Sequence, residues 1–158
     1  MLLFLVALVA GIEQDIESKI EPNLTGIKCV VSGKGVNKNY SCPFKKGKVF
    51  FDCNESRRKF IDDRTAYIIK ANHQLAVTGQ YFQTKCPIKN SQIDRNSKVR
   101  KSIAGVEIGF CCRACVDQIS TKANIHEQIR FIFDNRKFNS IFQPRIKAVG
   151  QSTDRKSR

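Results

Sequence analysis

The chain has 158 residues, a formal charge of +14 from 28 Lys and Arg against 14 Asp and Glu, and 41% apolar residues. That balance excludes a globally disordered chain, and the length leaves room for one domain or two small ones with modest cores. The basic residues fall in Lys45-Lys46-Gly47-Lys48, Arg57-Arg58-Lys59, Arg95 to Lys101 and the tail Asp154 to Arg158. They interleave with polar loop residues instead of lining one helix face, which reads as a solvated basic surface. Such a surface attracts anionic polymers or membrane faces through screened forces and implies no specific nucleic acid.

The chain opens on MLLFLVALVA, ten apolar residues. The run is too short to cross a bilayer as a helix and has the length of the h-region of a signal peptide, although no Lys or Arg precedes it. Val9-Ala10-Gly11 offers small residues for cleavage, so residues 1–11 are expected to be an export signal. The mature chain is then expected in the periplasm or outside the cell, without a transmembrane span. Export places the seven cysteines where disulfides are permitted, and the odd count leaves at least one thiol free, metal-bound or paired with another molecule.

Alignment of the cysteines divides the rest of the chain into two halves, residues 27–79 and 80–143, followed by a basic tail over 144–158. Lys28-Cys29 matches Lys85-Cys86 at an offset of 57, and Cys53 matches Cys112 at an offset of 59. Each half reads as a cysteine-bearing turn, a hairpin and a helix. In the first, Lys48 to Phe51 has strand composition and Glu55 to Ile61 can form a helical turn or two. A longer helix capped by Asp62 or Asp63 then runs through Ile68, Ile69 and Leu75 to a stop at Gly79. In the second, Val106 to Phe110 reads as a strand and Arg113 to Ser120 as a short helix. Ile125, Ile129, Ile132 and Phe133 keep helical spacing, while Arg130 to Phe133 reads equally well as a strand. No Gly/Ser-rich or Pro-rich linker separates the halves, so they are expected to pack together as an α+β protein.

The chemistry concentrates in the second half. Cys86 precedes Cys111-Cys112-x-x-Cys115, and sulfur donors from a turn and a helix start can converge on one soft cation. A helix N-terminus also favours the thiolate that metals bind. Four sulfurs complete a tetrahedron in principle, but neighbours on a strand point to opposite faces. The alternative is a three-thiolate site of Cys86, Cys112 and Cys115, holding zinc with a fourth ligand or trigonal copper(I). Two further readings stay open: a Cys86–Cys112 disulfide, and a redox pair at Cys112 and Cys115, which lacks the βαβ context that chemistry uses.

In the first half Asp52 and Ser56 stand where Cys111 and Cys115 stand, leaving Cys29 and Cys53 with an added Cys42. That set is poor for a soft metal. A structural role is expected, with a Cys29–Cys53 disulfide as one route to about 3 kcal/mol of stability. His73 and His126, the two histidines, read as ordinary side chains, with His126 the nearer in sequence if a fourth ligand is needed. No Ser/His/Asp set, phosphate-binding glycine loop or metalloprotease helix is present, and the Asp62-Asp63 pair is better explained by helix capping. The reading is non-enzymatic.

Residues 27 to 133 resemble small YHS-like and TRASH-like domains, arranged as two units in tandem in an exported bacterial protein. The resemblance rests on Lys28-Cys29-Val30-Val31-Ser32-Gly33-Lys34, Lys48-Val49-Phe50-Phe51 with Cys53, and Lys70-Ala71-Asn72-His73-Gln74-Leu75 with Thr78-Gly79-Gln80. It continues through Lys85-Cys86-Pro87 and Gly105-Val106-Glu107-Ile108 with Phe110, Cys111, Cys112 and Cys115. It implies treble-clef-like units and a role in heavy-metal binding, sensing or trafficking, carried by Cys86, Cys111, Cys112 and Cys115. The expectation is therefore an exported metal-binding protein, with zinc the first choice of ion and copper(I) the second. The competing expectation is a disulfide-stapled basic module that docks on an anionic polymer or surface.

Overall fold

The computed structural model describes residues 22–94 and 98–145. The signal-peptide reading of residues 1–11 and nearly all of the basic tail lie outside the described residues.

Apolar strand residues and a left-handed turn build the first hairpin. β1 (Asn37–Phe44) pairs antiparallel with β2 (Gly47–Phe51), and Lys45 makes the reversal at φ 52°. Val49, Phe50 and Phe51 are buried under it, and Phe44 meets Phe60 edge-on at 5.6 Å. Two helices follow almost without a break, α1 (Asn54–Asp62) and α2 (Arg64–Val77). Asp63 leaves helical geometry between them, and its side chain accepts the Ala66 N–H at 3.1 Å. The anticipated aspartate cap is thus at Asp63, where it satisfies a donor the first turn cannot bond internally.

The second hairpin, β4 (Arg100–Ile103) with β5 (Val106–Gly109), turns through Ala104 and Gly105 at φ 50° and 81°. Two central residues in the left-handed region match the right-handed twist of the strands. α3 (Arg113–Ser120) follows, and then α4 (Ile125–Phe133), capped by the Asn124 side chain at the Glu127 N–H. Residues 130–133 are helical, which decides between the two sequence readings in favour of the Ile125, Ile129, Ile132 spacing.

Three elements have no counterpart in the sequence reading. α5 (Asn135–Ile141) is capped by Asp134, and β6 (Phe142–Pro144) returns to pair with β3 (Tyr81–Gln83). The described residues thus hold five helices and three two-stranded antiparallel sheets, an α+β arrangement.

α2 lies at the centre of the packing. It touches α1 and β2 of the first half and β3, β5, α4 and α5 of the second. A run of rings, Tyr81, Phe138, Phe142 and Phe133, fills the space beneath α5, with successive centroids 5.2, 4.8 and 5.9 Å apart. These rings pack with buried aliphatic side chains such as Leu75, Ile132 and Ile141, and the apolar area removed from water is the main favourable contribution to folding. The two halves therefore share a core, as the missing linker suggests.

Candidate metal centre

Cys86 sits in a tight turn. Its N–H donates to the Ser91 carbonyl at 2.8 Å and its carbonyl accepts the Asn90 N–H at 2.9 Å, with Asn90 in the left-handed region at φ 55°. The turn points the Cys86 thiol inward, where it is fully buried. Burial works against ionisation of this thiol, but the amides of Lys89, Cys111 and Ile88 and the Cys111 thiol outweigh it, and its pKa lies below the ordinary value.

The other sulfurs arrive from the far end of the second hairpin. β5 stops at Gly109, so Cys111 and Cys112 occupy a bend instead of a strand. The alternation that sends strand neighbours to opposite faces therefore does not apply to them, and both thiols reach the same place. Cys112 is extended (φ −160°, ψ 165°) at the start of α3, and the Cys115 N–H donates back to its carbonyl at 3.2 Å.

Cys86, Cys111 and Cys115 place their sulfurs within 4.8 Å of one another. Cys115 Sγ is 3.7 Å from Cys111 Sγ and 3.4 Å from Cys112 Sγ. A tetrahedron of sulfurs around zinc at about 2.3 Å has edges of roughly 3.8 Å. The two Cys115 separations are close to that edge. Cys86, Cys111 and Cys115 form the mutually close group, and Cys112 adjoins it through its contact with Cys115. Cys111, omitted from the three-thiolate alternative, is a full member. All seven cysteines carry free thiols, among them Cys29 and Cys53.

The electrostatics fit the same use. The Cys115 N–H and thiol hold the Cys112 thiol below its ordinary pKa. Cys115 goes the other way, pushed up to about 12 by burial and by the facing Cys112, Cys111 and Cys86 thiols. A cluster in which some thiols ionise readily and a buried one resists needs a cation at its centre before all of them can be thiolates. Cys86 and Cys115 are buried, Cys112 is half-buried and Cys111 is exposed, so the cluster opens to solvent on one side.

Neither histidine belongs to this group. His126 lies exposed on α4, and His73 packs its ring edge on Phe133 at 5.0 Å with Nε2 2.8 Å from the Ala104 carbonyl oxygen. The residue that sequence reasoning missed is Gln83. Its Nε2 donates to the carbonyls of Lys85 and Gly109, at 2.7 and 2.9 Å, and its Oε1 accepts the Gly109 N–H at 2.8 Å. One side chain thus ties the Cys86 turn to the strand that delivers Cys111 and Cys112. Glutamine in a short strand carries no periodic signal that would reveal this.

No protein-family model matches the sequence, and no significant similarity links the chain to a curated protein or to a solved structure.

Proposed function

We propose that this protein is a non-enzymatic metal-binding protein that holds one thiophilic ion, zinc in the first place and copper(I) in the second, on Cys86, Cys111, Cys112 and Cys115. The observation that carries the reading is the convergence of three free thiols, Cys86, Cys111 and Cys115, from a turn, a bend and a helix to within 4.8 Å of one another, with the Cys112 thiol 3.4 Å from Cys115. The lowered pKa values of Cys86 and Cys112 support it, because metal binding must displace the thiol protons. The resemblance to tandem YHS-like and TRASH-like units supports it from the sequence side. With an export signal at residues 1–11, the ion would be bound in the periplasm or outside the cell.

Native mass spectrometry of the protein, purified without reductant or chelator, tests the proposal. One zinc or copper per chain is expected, and it is expected to be lost when Cys86 and Cys115 are both replaced by serine. A metal-free mass short by the hydrogens of three disulfides would overturn it.

A further inference from the structure

The first half repeats the local geometry of the metal centre with different side chains. At Cys29 the N–H donates to the Lys34 carbonyl at 2.7 Å and the carbonyl accepts the Gly33 N–H at 2.9 Å. These are the bonds of the Cys86 turn moved by 57 positions, and Gly33 is left-handed where Asn90 is. The flanking bridges Lys28–Gly35 and Lys85–Gln92 correspond as well. At the far end of each hairpin a cysteine begins a helix, Cys53 at φ −152°, ψ 171° and Cys112 at φ −160°, ψ 165°. Cys53 Sγ lies 3.6 Å from Ser56 Oγ, as Cys112 Sγ lies 3.4 Å from Cys115 Sγ.

Burial follows the same pattern. Cys29 and Ser56 are buried like Cys86 and Cys115, and Cys53 is half-buried like Cys112. The node differs at two positions, Asp52 for Cys111 and Ser56 for Cys115. Asp52 brings a carboxylate whose Oδ1 is shut off from solvent without a hydrogen-bond partner. The Cys29 thiol first, then the Ser56 hydroxyl, hold that carboxylate well below the usual pKa range, against the opposing effect of burial and with a smaller contribution from the Ser32 hydroxyl.

We propose that the first half is a metal-free version of the second-half node, in which the Asp52 carboxylate supplies the centre that the ion supplies in the second half, and that D52C with S56C restores a second zinc site. The two nodes are charge inverses. One gathers thiols for a cation, and the other carries a buried carboxylate oxygen at the position of Cys111. A carboxylate so placed repels no cation, but only two sulfurs, Cys29 and Cys53, remain to hold a soft one. The proposal rests on the reading of the second half as a metal centre only for the identity of the ion.

The experiment counts zinc in the full chain by native mass spectrometry, comparing wild type with D52C/S56C, both purified with zinc and without chelator. The expected result is one zinc more in the variant than in wild type. A folded variant with the same count as wild type overturns the proposal, as does a wild type with two zinc ions that loses one on C29S. A wild type with none and a variant with one would remove the second-half reading and leave this proposal standing; one zinc in both would do the reverse. Should the double variant fail to fold, D52L decides. Its zinc count is expected to equal that of wild type, and its melting point in chelator to fall by about 4 °C or more, so an unchanged melting point overturns the carboxylate-centred node.

Discussion

Gln83 holds Gly109 by both backbone groups, accepting its N–H at 2.8 Å and donating to its carbonyl at 2.9 Å. Because the same amide also donates to the Lys85 carbonyl, it sets the distance between the Cys86 turn and the bend that carries Cys111 and Cys112. Outer groups that orient metal ligands are commonly worth 10-fold or more in affinity. Gln83→Leu is therefore expected to weaken zinc binding about 10-fold while leaving all four thiols in place. Competition against a chromogenic chelator measures this, and an unchanged affinity would show that the ligands need no such tie.

Gln74 makes the equivalent tie in the first half from a different element. Its Oε1 accepts the Phe50 N–H at 2.7 Å, and its Nε2 donates to the carbonyls of Phe50 and Lys28, both at 3.0 Å. The side chain is only 2% exposed, so water cannot replace these bonds easily. Gln74→Leu strands one donor and two acceptors, at about 1–3 kcal/mol for a buried unsatisfied group. A loss of roughly 3 kcal/mol in urea unfolding is expected, with the zinc count unaltered. A loss under about 1 kcal/mol would mean that solvent reaches Phe50 after all.

The readable parts of the fold are those written in local signals. Asp63 before an apolar helical spacing predicts the start of α2, and Arg113 to Ser120 is the observed span of α3. Cys111, Cys112 and Cys115 are legible because their spacing is local too, and Cys86 because it matches Cys29 at an offset of 57. β3 and β6 are not: each has three residues, and Tyr81 finds Pro144 across most of the second half. A pairing so short and so distant leaves no mark in either segment alone. α5 has a readable cap in Asp134, whose Oδ1 accepts the Arg136 N–H at 3.0 Å, but seven residues give too little periodicity to separate a helix from a turn. The status of Cys111 was hidden for another reason. It depends on β5 ending one residue before Phe110, and strand ends are not encoded sharply.

Cys115 and Cys111 are predicted to differ in weight. Cys115 is buried and touches both of its neighbours, with Cys112 at 3.4 Å and Cys111 at 3.7 Å, whereas Cys111 is exposed at the rim. Removal of Cys115 opens the centre of the cluster. Removal of Cys111 leaves three sulfurs and a position that water can fill, the arrangement open zinc sites have. Cys115→Ser is expected to abolish binding, and Cys111→Ser to retain it with affinity lowered by about 10-fold or more. Cobalt(II) titration, followed through sulfur-to-metal charge-transfer absorption, separates the two. Equal losses would place Cys111 and Cys115 on the same footing and contradict the one-sided opening of the cluster.

His73 gives the fold a pH dependence independent of the thiols. Burial against Phe133 lowers its pKa from the ordinary 6.5, and the Ala104 carbonyl, which favours the proton, offsets only part of that. The folded chain thus resists a proton that the unfolded chain takes up below about pH 6.5. For a base with a lowered folded pKa, this contribution to stability is complete above the unfolded value. It is lost progressively as the pH falls from about 6.5 toward the folded value, beyond which the loss stops growing. The ring bridges α2 to the tip of the second hairpin at Ala104, so the destabilisation falls on the contact between the halves. Urea midpoints measured from pH 7.5 to pH 5 with chelator and reductant present exclude competition between protons and metal for the thiols. Under those conditions wild type is expected to lose stability on acidification, and His73→Gln to lose less over the same range. Parallel slopes for the two proteins would show that His73 is protonated as easily folded as unfolded, and that its burial against Phe133 does not shield the ring from water.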